Sequence, residues 1–255
     1  MTSVAAARPL VFPSVSFGPF RLLEAVPWLM LASSMRFLAY GNALLAGPAL
    51  VVANVALLLA FVIVVWRMVL ISDGRSELGL LGFSQQVSMA RRVLPQVLLL
   101  LIAASLVLGL VPAVAEPAQL MFGFDGIAFD QATHLGRLWS AFVAALVLLM
   151  VLQVDEAMKP SLLTAARQFA ARARWLVPAV LLVAGLSMLL HPLQGWGRGL
   201  VRLVWLQEGI PTPVKSGIYF CFVFLFATAR LWLTVAVLVL ALRQSYRAQA
   251  ESEPA

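Results

Sequence analysis

From Leu45 to Trp66 the chain carries no Asp, Glu, Lys, Arg or His. About 20 apolar residues in a helix cross a ~30 Å hydrocarbon core, so this run alone is long enough to do so. Five further apolar segments accompany it, at about 22–45, Val93–Ala115, Leu138–Val154, Trp175–Leu190 and Gly217–Leu242. Lipid offers no hydrogen bonds to a peptide group, so a segment that crosses it as a single unit must be helical. The pattern predicts an all-α fold: a polytopic transmembrane helix bundle of about six spans with short amphipathic interfacial helices. Residues 1–21 read as a flexible cytoplasmic tail, 22–243 as one transmembrane domain and 244–255 as a cytoplasmic C-terminal tail.

Composition supports a membrane setting. The 255 residues are 62% hydrophobic and 11% charged, with a mean hydropathy of +0.97. Soluble domains carry about 25% charged residues. The net charge of +7 would suggest nucleic acid in a soluble protein, but here the cations sit in short segments between apolar runs. That placement fits anionic headgroups rather than DNA or RNA. Cys221 is the single cysteine, so neither an intrachain disulfide nor a thiolate metal cluster is expected. The preponderance of Arg over Lys, with abundant Ala and Leu, suggests a bacterial source. Arg8 is followed by Pro9, Pro13 and Gly18 rather than by a compact apolar core, so no signal peptide is expected.

Lys and Arg give the orientation. With the N-terminus inside and six spans, the inner set is Arg8, Arg21, Arg67, Arg75, Arg91, Arg92, Lys159, Arg167, Arg172, Arg174, Arg243 and Arg247. The outer set is Arg137, Arg198, Arg202 and Lys215. The excess inside predicts cytoplasmic termini in an inner (plasma) membrane. The first segment is the shortest, its uninterrupted part running from Ala25 to Met35 between Glu24 and Arg36. Laying it on the surface would invert every later span, so it is read as spanning.

Two connections on the inner side look alike. Residues 83–94 place Phe83, Val87, Ala90 and Leu94 at helical spacing, with Arg91 and Arg92 off that face. Residues 160–174 place Leu162, Leu163, Ala166, Phe169 and Ala170 on one arc and Arg167, Arg172 and Arg174 on the other. Both read as basic amphipathic helices leading into the next span. Ala90-Arg91 precedes Pro95 at the spacing with which Ala173-Arg174 precedes Pro178, which is consistent with a duplicated hairpin or with convergence. Trp196 and Trp205, with Arg198 and Arg202, read as a separate outer interfacial helix across 195–208.

Few residues suggest chemistry. Ala46, Ala49, Ala53, Ala56 and Ala60 form a stripe of small side chains on one helix. Such a stripe lets helices approach closely, within the chain or between copies. Arg230 falls near the middle of the last span, and Arg36 is a second cation of the same kind. A mid-span arginine costs at least ~2.5 kcal/mol to insert. Either it snorkels to the interface, or it faces the interior and attracts an anion such as a lipid phosphate or a carboxylate. Glu116, Asp125, Asp130 and His134 make the loop before the fourth span acidic, and His191 falls on the same side. Solvated charges explain them better than a metal site. No phosphate loop, HExxH or GxSxG occurs, so no cofactor, metal or catalytic residue is expected.

Three places carry a family resemblance: Trp66-Arg67 leaving the second span, the basic stretch Pro160 to Arg174, and Tyr246-Arg247 near the C-terminus. With the six-segment layout, residues 45–247 resemble the membrane domain of bacterial glycerophosphoryl diester phosphodiesterases. The run Val147 to Val154 lacks the Arg and Pro common there, and no part of the chain resembles the phosphodiesterase catalytic domain. The resemblance therefore implies no hydrolase activity. It implies a scaffold or accessory protein tied to lipid or envelope upkeep. The expected function is a non-enzymatic inner-membrane protein that associates with lipids, with a second copy or with other membrane proteins. The alternative is a small flippase-like carrier for an anionic or lipid substrate.

Overall fold

A computed structural model describes residues 23–41, 44–72, 83–109, 134–155 and 159–252. The tail charges Arg8 and Arg21, Arg75, and the loop residues Glu116, Asp125 and Asp130 lie outside the described residues. So do the side chains of Trp66, Arg67, His134 and Arg247. The described residues form seven helices and no strand: α1 Val26–Gly41, α2 Ala46–Ser72, α3 Phe83–Gly109, α4 His134–Asp155, α5 Leu162–Ala171, α6 Ala173–Leu206 and α7 Thr212–Ser252. Four of them, α2, α4, α6 and α7, are long and apolar enough to cross a membrane.

The bundle is built around α4. Every residue from Val143 to Gln153 is buried, so this helix shows lipid no face over that stretch. A helix apolar all round belongs in the centre, and α4 packs against α2, α3, α5, α6 and α7. α2 is likewise buried nearly all round from Ala56 to Val65, whereas α3 and α6 bury one stripe each. On α3 it is Ala90, Val93, Val97 and Leu100, leaving Arg91 and Arg92 exposed. On α6 the buried stripe changes character along the helix. It starts with Leu176, Val180 and Val183 and continues with Ser187 and Gln194. Leu181, Leu182, Leu189 and Leu225 are exposed on α6 and α7, as lipid-facing positions should be.

The alanine stripe on α2 is covered from within the chain. Ala49, Ala53, Ala56 and Ala60 are all buried and Ala46 is half-buried. The main partner is α1, whose packed face runs Ala25, Leu29, Ala32 and Arg36. At one end of α1, Trp28 stacks on Phe83 with centroids 5.8 Å apart and donates from Nε1 to Gln86 Oε1 at 3.0 Å. At the other, Phe37 meets the Tyr219 ring at 6.0 Å.

α5 is separated from α6 by Arg172 alone, whose φ of −110° and ψ of 19° depart from the helix. The Arg172 guanidinium lies over the Tyr246 ring, 4.6 Å from its centroid. The arc expected on α5 divides into two faces. Leu162, Ala165 and Phe169 turn to the core, whereas Leu163, Ala166 and Ala170 are exposed, Leu163 by 62%.

Residues 195–206, expected to form a separate interfacial helix, are instead the continuation of α6. That helix passes through Pro192 and three glycines without a break. At 34 residues and 1.5 Å per residue it is about 51 Å long. The 41-residue α7 likewise continues past residue 243 to Ser252. Between them, Gly209 adopts φ of +100°, a conformation that suits glycine in a tight turn. Lys215 Nζ donates to the Trp205 carbonyl at 2.9 Å, satisfying one of the acceptors that a helix end leaves open.

Candidate functional site

Inside the bundle, α2, α4, α6 and α7 enclose a cavity of about 30 Å³. One buried water needs roughly 10–15 Å³, so the space suits a small ion or the end of a larger group. Its register follows from helix geometry. α4 contributes Arg137, Ser140, Ala141 and Ala144, and α7 contributes Ala227, Arg230, Leu231 and Thr234. In each helix these positions fall on one face. Ser187 faces the cavity from α6, and Leu57 and Phe61 close it from α2.

Its electrostatics are one-sided. Arg137 is 7% exposed and its Nε has no hydrogen-bond partner. Arg230 lines the same cavity. Among the described residues, none that lines it is acidic. The four walls carry only Asp155 and Glu251, at the far ends of α4 and α7. From Arg137 to Asp155 along α4 is about 27 Å. Ser187 donates its proton to the Ala184 carbonyl at 2.8 Å, so its oxygen faces the cavity only as an acceptor. The donor-bearing side chains that line it are Arg137, Arg230, Ser140 and Thr234. This set can hold an anion; it supplies neither a nucleophile–base pair nor a carboxylate for proton transfer.

Of the two mid-span arginines singled out in the sequence, Arg230 lines this cavity and Arg36 does not. Arg36 is buried, 4% exposed, on the face of α1, and does not line this cavity. The second cation is Arg137, which charge counting assigns to the outer loop. Two further buried polar groups escape sequence reading: Ser187, and Gln194, whose Oε1 has no partner. The spacing of Ser187 and Gln194 along the buried stripe of α6 was the available signal. Among the basic residues expected at the inner surface, Arg91, Arg92, Arg167 and Arg174 are exposed, and Arg172 is held over Tyr246. Among the described residues no group of three His, Cys, Asp or Glu could hold a metal.

Fold and site together define an all-helical membrane protein with cations in its interior. No protein-family model, curated protein or solved structure matches the chain.

Proposed function

We propose that this is a non-enzymatic bacterial inner-membrane protein that binds an anion between its helices and works as a small carrier. The observation behind this reading is the cavity that Arg137 and Arg230 share, with no carboxylate among its described lining residues. Inserting each arginine costs at least ~2.5 kcal/mol, and their mutual repulsion adds to that. A guest of opposite charge offsets both terms. Its chemistry is that of a phosphate, a carboxylate or a halide.

The carrier crosses the membrane six times, with both termini cytoplasmic. The inner excess of Lys and Arg supports that orientation. The contacts of α1 support counting it as a span. Trp28 reaches the start of α3 and Phe37 reaches Tyr219 of α7, so α1 is packed into the bundle along its length. Basic residues at the inner surface contact anionic headgroups. A tie to lipid or envelope upkeep, implied by the resemblance to phosphodiesterase membrane domains, belongs to the same proposal. A scaffold role through the alanine stripe is less favoured, because α1 already covers that stripe.

Reconstituted protein tests the carrier reading. Chloride, phosphate and acetate are each trapped in vesicles, and their release is followed for wild type and Arg230→Leu. Release of one anion at least tenfold above empty vesicles, lost in a variant that still folds, is the expected result. No release above empty vesicles for any of the three, with correctly folded wild type, overturns the reading and returns the protein to the scaffold class.

A further inference from the structure

A second cavity, of about 700 Å³, opens where the outer third of α6 meets the start of α7 and the end of α1. It is a size that a drug-sized molecule fills. Phe37, Val201, Trp205 and Tyr219 give it apolar walls, and Arg198 and Arg202, one helical turn apart, give it charge. The opposite flank of the same helix exposes Leu193, Trp196, Leu200 and Leu203. Trp196 is 67% exposed. So continuous an apolar stripe places this part of α6 against lipid or headgroups, not open water.

The glycines carry the argument further. Glycine is unfavourable inside a helix, yet α6 has three at alternate positions here. Gly197 has a packing reason, since a Cβ there would come within 2.5 Å of the Phe222 ring. Gly195 and Gly199 have none, since a Cβ at either meets nothing within 4 Å. Both line the groove. They leave space that no described side chain fills.

We infer that this groove binds an anionic phospholipid, with its phosphate on Arg198 and Arg202 and an acyl chain over Gly195 and Gly199, between Phe37 and Tyr219. Charge selects the headgroup and the apolar walls select the chain, a combination that a free anion does not match. The site is separate from the interior cavity and does not depend on the carrier reading.

The test uses the full chain reconstituted with phosphatidylglycerol and phosphatidylcholine in equal amounts, re-extracted in mild detergent and weighed intact by mass spectrometry. Wild type is expected to retain phosphatidylglycerol in preference to phosphatidylcholine. Arg198→Gln with Arg202→Gln leaves the groove open but removes its charge. At the ordinary strength of attraction between each arginine and an anionic headgroup, loss of both lowers retention of phosphatidylglycerol roughly thirtyfold. Gly199→Leu keeps the charge but fills the groove. It lowers retention of both lipids, with a thermal midpoint equal to or above wild type. Wild-type retention in either folded variant overturns the inference. Displacement of the lipid by inorganic phosphate alone also overturns it and reassigns the arginines to a soluble anion. The variants alter different atoms, so if one fails to fold the other decides.

Discussion

The two ends of the central helix handle buried polarity in opposite ways. Near its C-terminal end, Gln153 is 1% exposed and fully engaged. Its Oε1 accepts from the Ser161 backbone N–H at 2.8 Å, and its Nε2 donates to Gln168 Oε1 at 3.2 Å. One side chain thereby fixes both the start and the far turn of α5. Near the N-terminal end, Arg137 is nearly as buried, but its Nε lacks a partner and its neighbour in the cavity is another cation. In a low dielectric a satisfied polar group rigidifies, whereas an unsatisfied one carries its whole desolvation cost. The Gln153 end is satisfied from within the chain, whereas the Arg137 end keeps a buried polar atom without a partner.

The sharpest test of that contrast is to empty the stable end. Gln153→Ala removes two hydrogen bonds, strands the Ser161 N–H and leaves a void. A stranded buried donor costs about 1–3 kcal/mol, and the lost packing adds to it. The expected loss is about 2–4 kcal/mol, read as a lower thermal midpoint in detergent and faster proteolysis between α4 and α5. An unchanged midpoint would mean that Gln153 is not the clamp described here.

The opposite sign is expected at the other end. Arg137→Met keeps length and flexibility while removing a desolvated charge and its repulsion with Arg230. The empty protein gains about 1–3 kcal/mol. Any stabilisation of wild type by added phosphate or chloride disappears in the variant. If Arg137→Met instead destabilises, the arginine is structural and the two ends of α4 are alike.

How much of this was legible in the sequence follows from the same physics. Helices are forced by apolar length, so the class of fold could be read directly from Leu45 to Trp66 and its companions. The C-terminal part of α6 was legible as a helix but not as a continuation of the preceding span, because Pro192 stands between them and reads as a break in water. In lipid a broken helix leaves peptide groups without any partner, so α6 runs on. The burial of Arg137 was not legible, because it depends on which helices close around the first turn of α4 and not on position along the chain. The look-alike inner stretches show the same limit. α3 continues without interruption through Ala90 and Arg91, but the equivalent path into α6 breaks at Arg172. Gln153, which lies outside both stretches, ties α5 to α4 through Ser161 and Gln168.

That break supplies the smallest prediction. With the helix interrupted, the Arg172 guanidinium reaches the Tyr246 ring near the C-terminal end of α7. Cation–π pairs at accessible sites contribute about 0.5–1 kcal/mol. A double-mutant cycle with Arg172→Gln and Tyr246→Leu isolates the pair from the packing each side chain loses. A coupling of that size makes α7 a second support for the Gln153 end, beyond the hydrogen bonds that α4 makes with α5. Zero coupling leaves Gln153 to hold α5 alone, and the loss in Gln153→Ala should then lie at the upper end of its range.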